Sequence, residues 1–277
     1  MTRIDPTSGE VLAERDLGHA GELAAVEVGG WIWTLQRSNG STRLIGMAPQ
    51  TLAIRHGRAF ASTAEGLAAA DGHLWLGVGS SLVEIDPDSG DTIARTRLVG
   101  RVDLVAGDPE SGHLFVTLDG PVRKDRLPLL ELDGSTGGVL ANAWAGFAEL
   151  NGVSHLVQAP NGVWVGEPTG TMGTLGFYAT SELDGFLVPP RGAGEGTDGH
   201  GMIFGSNAIS GAYAGSHLWV AYGEGTVTCA DARTGRRLGT LTDGTPPGSA
   251  DIVTVGDRPM LIIGSILYKV DQQIACS

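Results

Sequence analysis

Several things are scarce in this chain, and each scarcity excludes something. Lysine is nearly absent: of 18 basic residues only Lys124 and Lys269 are lysine, which we read as coding bias and not as function. Basic charge is outweighed by 31 acidic residues, for a net charge of −13. That balance argues against surfaces that track phosphates, so no nucleic-acid partner is expected, and no docking on anionic membrane. Two cysteines, Cys229 and Cys276, are too few for a disulfide scaffold. The longest near-apolar run, residues 260–267, is far below a membrane span and reads as a buried strand. No stretch carries a sustained helical period of apolar residues. The opening Met1-Thr2-Arg3-Ile4-Asp5-Pro6 has no apolar leader. As written the chain is expected to be soluble and cytoplasmic, or extracytoplasmic if a natural start with a leader lies upstream.

Glycine is what the chain has in excess, 44 of 277 residues, against an ordinary share of roughly 7%. It has no three-residue period, so a collagen-like chain is excluded. With 42% hydrophobic and 18% charged residues, the sequence can bury a core.

Repetition accounts for the glycine. Asp-x-x-Ser/Thr-Gly occurs four times: Asp5 to Gly9, Asp86 to Gly90, Asp133 to Gly137 and Asp231 to Gly235. The last three follow a short strand-like run and all four precede another. Asp can accept turn N–H groups and Gly supplies positive φ, so each copy predicts a tight hairpin. Fainter copies lie at Asp184, at Asp271 and, degraded, at Ile45-Gly46-Met47-Ala48-Pro49. Asp86, Asp133, Asp184, Asp231 and Asp271 are 47, 51, 47 and 40 residues apart. Between the hairpins runs a second element with an aromatic: Trp33, Trp75, Phe115, Trp164 and Trp219, with an aromatic-free sixth copy at Pro259. A further apolar run precedes most of these.

Four short antiparallel strands per period of about 40–50 residues predict an all-β protein, a β-propeller of four-stranded blades. The aromatics would fill the wedges between blades, and small residues would suit the crowded innermost strands. Seven blade positions with one incomplete are favoured over a closed six, because the chain begins inside a blade. Residues 2–17 are expected to pair with the strands around 261–270. The whole of 1–277 reads as a single propeller domain, interrupted by a loop insertion at 185–206 that could serve as a lid.

The stretch from Leu74 to Gly90, an aromatic strand, a short loop, then a strand ending Asp86-Pro87-Asp88-Ser89-Gly90, resembles the repeats of YVTN and quinoprotein-like propellers. Quinone-binding members have a tryptophan four residues beyond the turn glycine. Ala13, Ala94, Ala141 and Gly239 stand there, so the resemblance does not extend to bound quinone. Asn161-Gly162-Val163-Trp164-Val165-Gly166-Glu167 is similar to one repeat of virginiamycin B lyase, which implies a metal-assisted lyase using His and Glu.

Candidate site residues follow from breaks in the repeat. His73, His113 and His217 share one repeat position, which argues for a structural role. His155 and His200 fall outside it. With Glu167 they are the candidate catalytic group, and a divalent cation could join them. Glu149 and Asn151, with the basic pair Arg123 and Lys124, are candidate ligand-binding residues. The plainer reading of each is a solvated loop. The repeated Asp residues are spread one per blade, so they do not gather into a calcium site. No nucleophile motif or phosphate loop is present. A disulfide between Cys229 and Cys276 is the minority reading, open only in an oxidising compartment. The leading expectation is a non-enzymatic scaffold binding a protein or small-molecule ligand, with no cofactor. The alternative is a metal-assisted lyase or hydrolase.

Overall fold

A computed structural model describes residues 1–5, 8, 10–17, 25–38, 40–107, 112–119, 128–144, 155–159, 162–169, 172–179, 202–205, 208–222, 226–232, 236–242, 250–255, 258–263, 266–269 and 276. The described elements are all strands. β1 (Thr2–Ile4) and β2 (Val11–Glu14) form a two-stranded sheet. Five four-stranded antiparallel sheets follow. The first comprises β3 to β6 (Ala25–Val28, Trp31–Ser38, Ser41–Met47, Ile54–Phe60), and the second β7 to β10 (Ala64–Ala70, His73–Val78, Ser81–Ile85, Thr92–Arg97). The third comprises β11 to β14 (Arg101–Gly107, His113–Asp119, Pro128–Asp133, Val139–Trp144). The fourth comprises β15 to β18 (His155–Ala159, Gly162–Thr169, Met172–Ala179, Met202–Gly205), and the fifth β19 to β22 (Ala208–Ala214, His217–Tyr222, Thr226–Asp231, Arg237–Thr242). β23 to β25 (Ala250–Val255, Arg258–Ile263, Ile266–Lys269) close the series as a three-stranded sheet. Every four-stranded sheet pairs its strands in chain order, as a meander.

The chain falls into two compact units, Met1–Pro121 with Leu130–Leu140, and Val122–Leu129 with Ala141–Ser277. In the first unit the leading strands pack side by side, β3 on β7 and β7 on β11; in the second, β15 on β19 and β19 on β23. Close approach requires glycine there. A Cβ on Gly107 would sit 2.5 Å from the Ala69 carbonyl oxygen.

All four Asp-x-x-Ser/Thr-Gly copies build the same ladder-closing contact. Asp5, Asp86, Asp133 and Asp231 each donate their backbone N–H to the carbonyl five residues on, at 2.8–2.9 Å. Gly90 and Gly137 have φ of +79° and +66°. These glycines also carry the neighbouring sheet. A Cβ on Gly137 would meet the Trp75 ring at 2.7 Å, so Trp75 lies flat on the next sheet's hairpin. Its indole N–H donates to the Gly134 carbonyl at 2.8 Å, and Trp164 repeats the bond to Ala232 at 3.0 Å. The wedge role expected of the aromatics is thus met, with a hydrogen bond added. Trp33 and Trp219 are the exceptions: their indole nitrogens are buried without an acceptor among the described residues.

One expectation changes. Met202–Gly205, inside the stretch 185–206 read as loop, is β18, the fourth strand of its sheet, in register with Gly173 to Gly176 on β17. Its apolar Met-Ile-Phe run suits a strand, and the reading as loop followed from the segment's break with the repeat. The pairing expected between residues 2–17 and 261–270 would join the two compact units and stays an expectation; within their own units β1 pairs with β2 and β25 with β24. Met1 and Leu17, which flank the N-terminal sheet, pack with Ile45 and Met47 of β5.

Among the described residues no helix is long and apolar enough to cross a membrane.

Candidate functional site

The polar chemistry collects beside the aromatic of each sheet. On β8, His73 and Trp75 are two residues apart and share a face. The register pairs Trp75 with Glu84 on β9, which sets Glu84 diagonal to His73. His73 Nδ1 lies 2.6 Å from Glu84 Oε1, and Glu84 is 5% exposed. The third sheet repeats the arrangement, with His113 Nδ1 2.8 Å from Glu131 Oε1 and Glu131 2% exposed. A carboxylate is costly to bury unless it is paired, so the shared histidine position has a structural cause. Reading from sequence missed the two glutamates. The signal was there: both stand two residues before the turn Asp, as does Glu182.

The first sheet fills the slot differently. Trp31 stands in the histidine's place and Gly46 in the glutamate's. His56, in register with Gly46, comes from β6 instead. Its ring meets Trp31 edge-on at 4.8 Å and stacks on Trp33 at 5.5 Å.

The fifth sheet departs furthest. Trp219 registers with Cys229, so a sulfur occupies the slot beside His217. Cys229 is bonded to Cys276, with Cα atoms 5.5 Å apart, across 47 residues of chain. The minority reading of the two cysteines is therefore the observed one. A strand register places Cys229, and residue spacing alone gave no sign of this. The His217 ring nitrogen and both sulfurs lie within 4.8 Å of one another.

A charged group lies across the first three four-stranded sheets, from β4 through β7 to β11. Arg37 donates to the Glu65 carbonyl at 2.9 Å, and Arg101 pairs with the Glu65 carboxylate. Asp103, half-buried, has its carboxyl raised above the ordinary value of 3.8 by desolvation, with repulsion from Asp119 and Glu65 adding and Arg101 opposing.

A third feature is apolar. The large hydrophobics most exposed among the described residues fall on the strands leaving the repeated hairpins: Val11 and Leu12 on β2, Ile93 on β10, Val139 and Leu140 on β14, with Val99 just beyond β10. Ile93 is 56% exposed and Val99 82%. β10 and β14 are edge strands, with one hydrogen-bonding side unpaired within their sheets.

Of the candidate catalytic residues, His155 opens β15 in register with Gly166, and Glu167 on β16 registers with Thr174. His200, Glu149, Asn151, Arg123 and Lys124 lie outside the described residues.

A scan against protein-family models matches none, and a search of curated proteins finds no relative. Solved structures do match. BamB from Moraxella catarrhalis is 14% identical with a TM-score of 0.55, over 93% of this chain and 74% of that one. The Pan2 WD40 domain of Neurospora crassa is 8% identical with a TM-score of 0.59, over 89% and 71%. The fold is that of a β-propeller. At these identities the likeness reaches the fold and no further. The propeller's meandering sheets, with aromatics wedged against the next hairpin, are the scaffold on which any site must stand.

Proposed function

We propose that this propeller is a non-enzymatic binding module for a protein partner, built on YVTN-like, quinoprotein-like repeats in seven blade positions, one of them incomplete. The observation that carries the reading is the set of exposed aliphatics at the starts of three strands that leave the repeated hairpins, Val11 and Leu12 on β2, Ile93 on β10, and Val139 and Leu140 on β14. A repeat keeps apolar side chains in water only at some risk of aggregation, so a covering partner gives them a use. The unpaired edges of β10 and β14 suit strand addition, in which backbone bonds supply affinity and alternate side chains select the partner. Arg95 and Arg97, both exposed on β10, favour acidic side chains on that partner. This reading calls for no cofactor.

The test is affinity capture from source-cell extract with the wild type and with the triple variant Ile93→Lys, Val139→Lys, Leu140→Lys. Specific proteins retained by the wild type should be lost from the variant, while its unfolding midpoint stays unchanged. Equal recovery by both proteins would sink the reading. A thermal shift with Mg²⁺, Mn²⁺ or Ca²⁺ would instead favour the metal-assisted enzyme on His155, Glu167 and His200, since a ligand of the native state stabilises it.

A further inference from the structure

We infer that the fifth sheet holds a redox-gated site for a thiophilic divalent cation of the zinc class, with His217, Cys229 and Cys276 as its ligands. The inference is independent of the partner-binding reading. Two observations carry it. The first is convergence: one imidazole nitrogen and two sulfurs lie within 4.8 Å of one another. A tetrahedral ion with Zn–S near 2.3 Å and Zn–N near 2.0 Å needs its ligands about 3.5–3.8 Å apart, so on reduction the two sulfurs part by well over an ångström while the imidazole nitrogen closes in by up to about an ångström. The second is the repeat. In the second and third sheets the same diagonal holds an imidazole against a carboxylate at 2.6 and 2.8 Å. The strand register therefore already brings a nitrogen ligand up to whatever anionic side chain occupies the slot. In the fifth sheet that side chain is Cys229, fully buried on β21, and Cys276 packs against the same cluster.

The two redox states exclude each other. Oxidised, the sulfurs are bonded to one another and neither is a free thiolate. A dithiol or phosphine reductant delivers two electrons; the S–S bond breaks and each sulfur takes a proton. The cation then displaces both thiol protons, forming two metal–sulfur bonds, and His217 adds a ring nitrogen. Water can complete the shell, because His217 is part-exposed. On reoxidation by a small-molecule disulfide, that disulfide takes the two electrons and two protons to become two thiols, the protein S–S bond re-forms and the cation is released. Thiolate and imidazole donors together select zinc-like ions over magnesium or calcium.

The test uses the whole chain, reduced anaerobically with a phosphine, desalted and titrated with Co²⁺ as a spectroscopic stand-in. Expected are thiolate-to-cobalt charge-transfer bands that saturate at one equivalent and vanish on adding Zn²⁺. The oxidised chain and Cys229→Ser should give none. His217→Ala should weaken binding at least tenfold, since losing even an outer-shell partner of a ligand costs about 10–100-fold. Far-UV circular dichroism of the reduced chain is recorded before and after metal. A reduced chain that loses its fold and regains it with Co²⁺ supports the site; one that stays unfolded with Co²⁺ overturns it. So do absent thiolate bands, equal bands from Cys229→Ser, or unchanged affinity in His217→Ala.

Discussion

The second and fifth sheets solve one packing problem with different chemistry. Both run four strands in order, both bury a tryptophan beneath the head of the second strand, and both set a histidine two residues before it. In the second sheet that histidine meets Glu84, and in the fifth it meets Cys229 in its disulfide. The geometry of the slot is set by strand register and the aromatic, while the side chain filling it is free to change. A carboxylate there satisfies only its own sheet. A cysteine there ties down residue 276, which is 47 positions away.

The largest effect should fall on what the sheets share. Trp75 of the second sheet and Trp219 of the fifth are both fully buried, and Trp75 adds an N–H bond to the next hairpin. Trp75→Ala and Trp219→Ala should each lose about 3–5 kcal/mol in denaturant unfolding, from lost transfer energy plus a cavity. Similar losses in both would establish the aromatic as the common support. A loss below 1 kcal/mol in either would mean its sheet collapses around the gap, and the comparison would fail there.

The next effect should separate the two sheets. Reducing the disulfide, or replacing Cys276 by Ser, frees a loop of 47 residues and should destabilise by up to about 4 kcal/mol on a chain-entropy account. Hydrogen exchange should show lost protection on β19 to β22 and unchanged protection on β7 to β10. Uniform loss across both would show that the bridge acts on the whole chain and not on its own sheet.

A smaller effect tests the other filling of the slot. Glu84→Ala removes a buried acceptor within 2.6 Å of His73 and should cost roughly 1.5–3 kcal/mol, the range for hydrogen bonds to charged groups. Glu84→Gln keeps an acceptor oxygen and should recover part of it. If Glu84→Ala is neutral, the pair is a by-product of register and the slot is not a stabilising feature of the repeat.

These contrasts also mark how far the sequence could be read. The hairpins were legible because Asp-x-x-Ser/Thr-Gly is local: donors, acceptor and positive φ all sit within five residues. The aromatic wedges were legible as a repeat, but not their N–H bonds, which join residues 59 and 68 apart in the chain. Glu84 and Glu131 were hidden because a glutamate on a strand ordinarily faces water, and only a cross-strand diagonal shows the partner. Cys229 and Cys276 were hidden for the same reason. The reading of 185–206 as loop rested on its break from the repeat and so concealed β18. The predicted group His155, Glu167 and His200 rested on breaks in the repeat, which say where something differs and nothing about which atoms meet.

The smallest effect concerns the hairpins themselves, where two copies of one motif differ in donors. Asp133 Oδ1 accepts four bonds, from the N–H and hydroxyl of Ser135 and of Thr136, at 2.6–3.0 Å. Asp86 Oδ1 accepts the N–H of Asp88 at 2.8 Å and, more weakly, that of Ser89 at 3.4 Å. Both carboxyls are held below the ordinary value of 3.8, Asp133 chiefly by the Ser135 hydroxyl and then that of Thr136, Asp86 chiefly by the Asp88 N–H. A carboxyl depressed in the folded state binds its proton less readily there than in the unfolded chain. Its stabilisation is therefore complete above the unfolded value and drains away as pH falls through the folded one. Asp133→Asn keeps the shape and removes the charge, so it should be less stable than the wild type at neutral pH. That gap should narrow as pH falls below about 4, the ordinary carboxylate range. Asp86→Asn should do the same to a lesser degree. Urea unfolding at a series of pH values reads both. Equal slopes for the two variants would mean that the hydroxyl bonds of Ser135 and Thr136 add nothing, and that backbone N–H groups alone hold the turn.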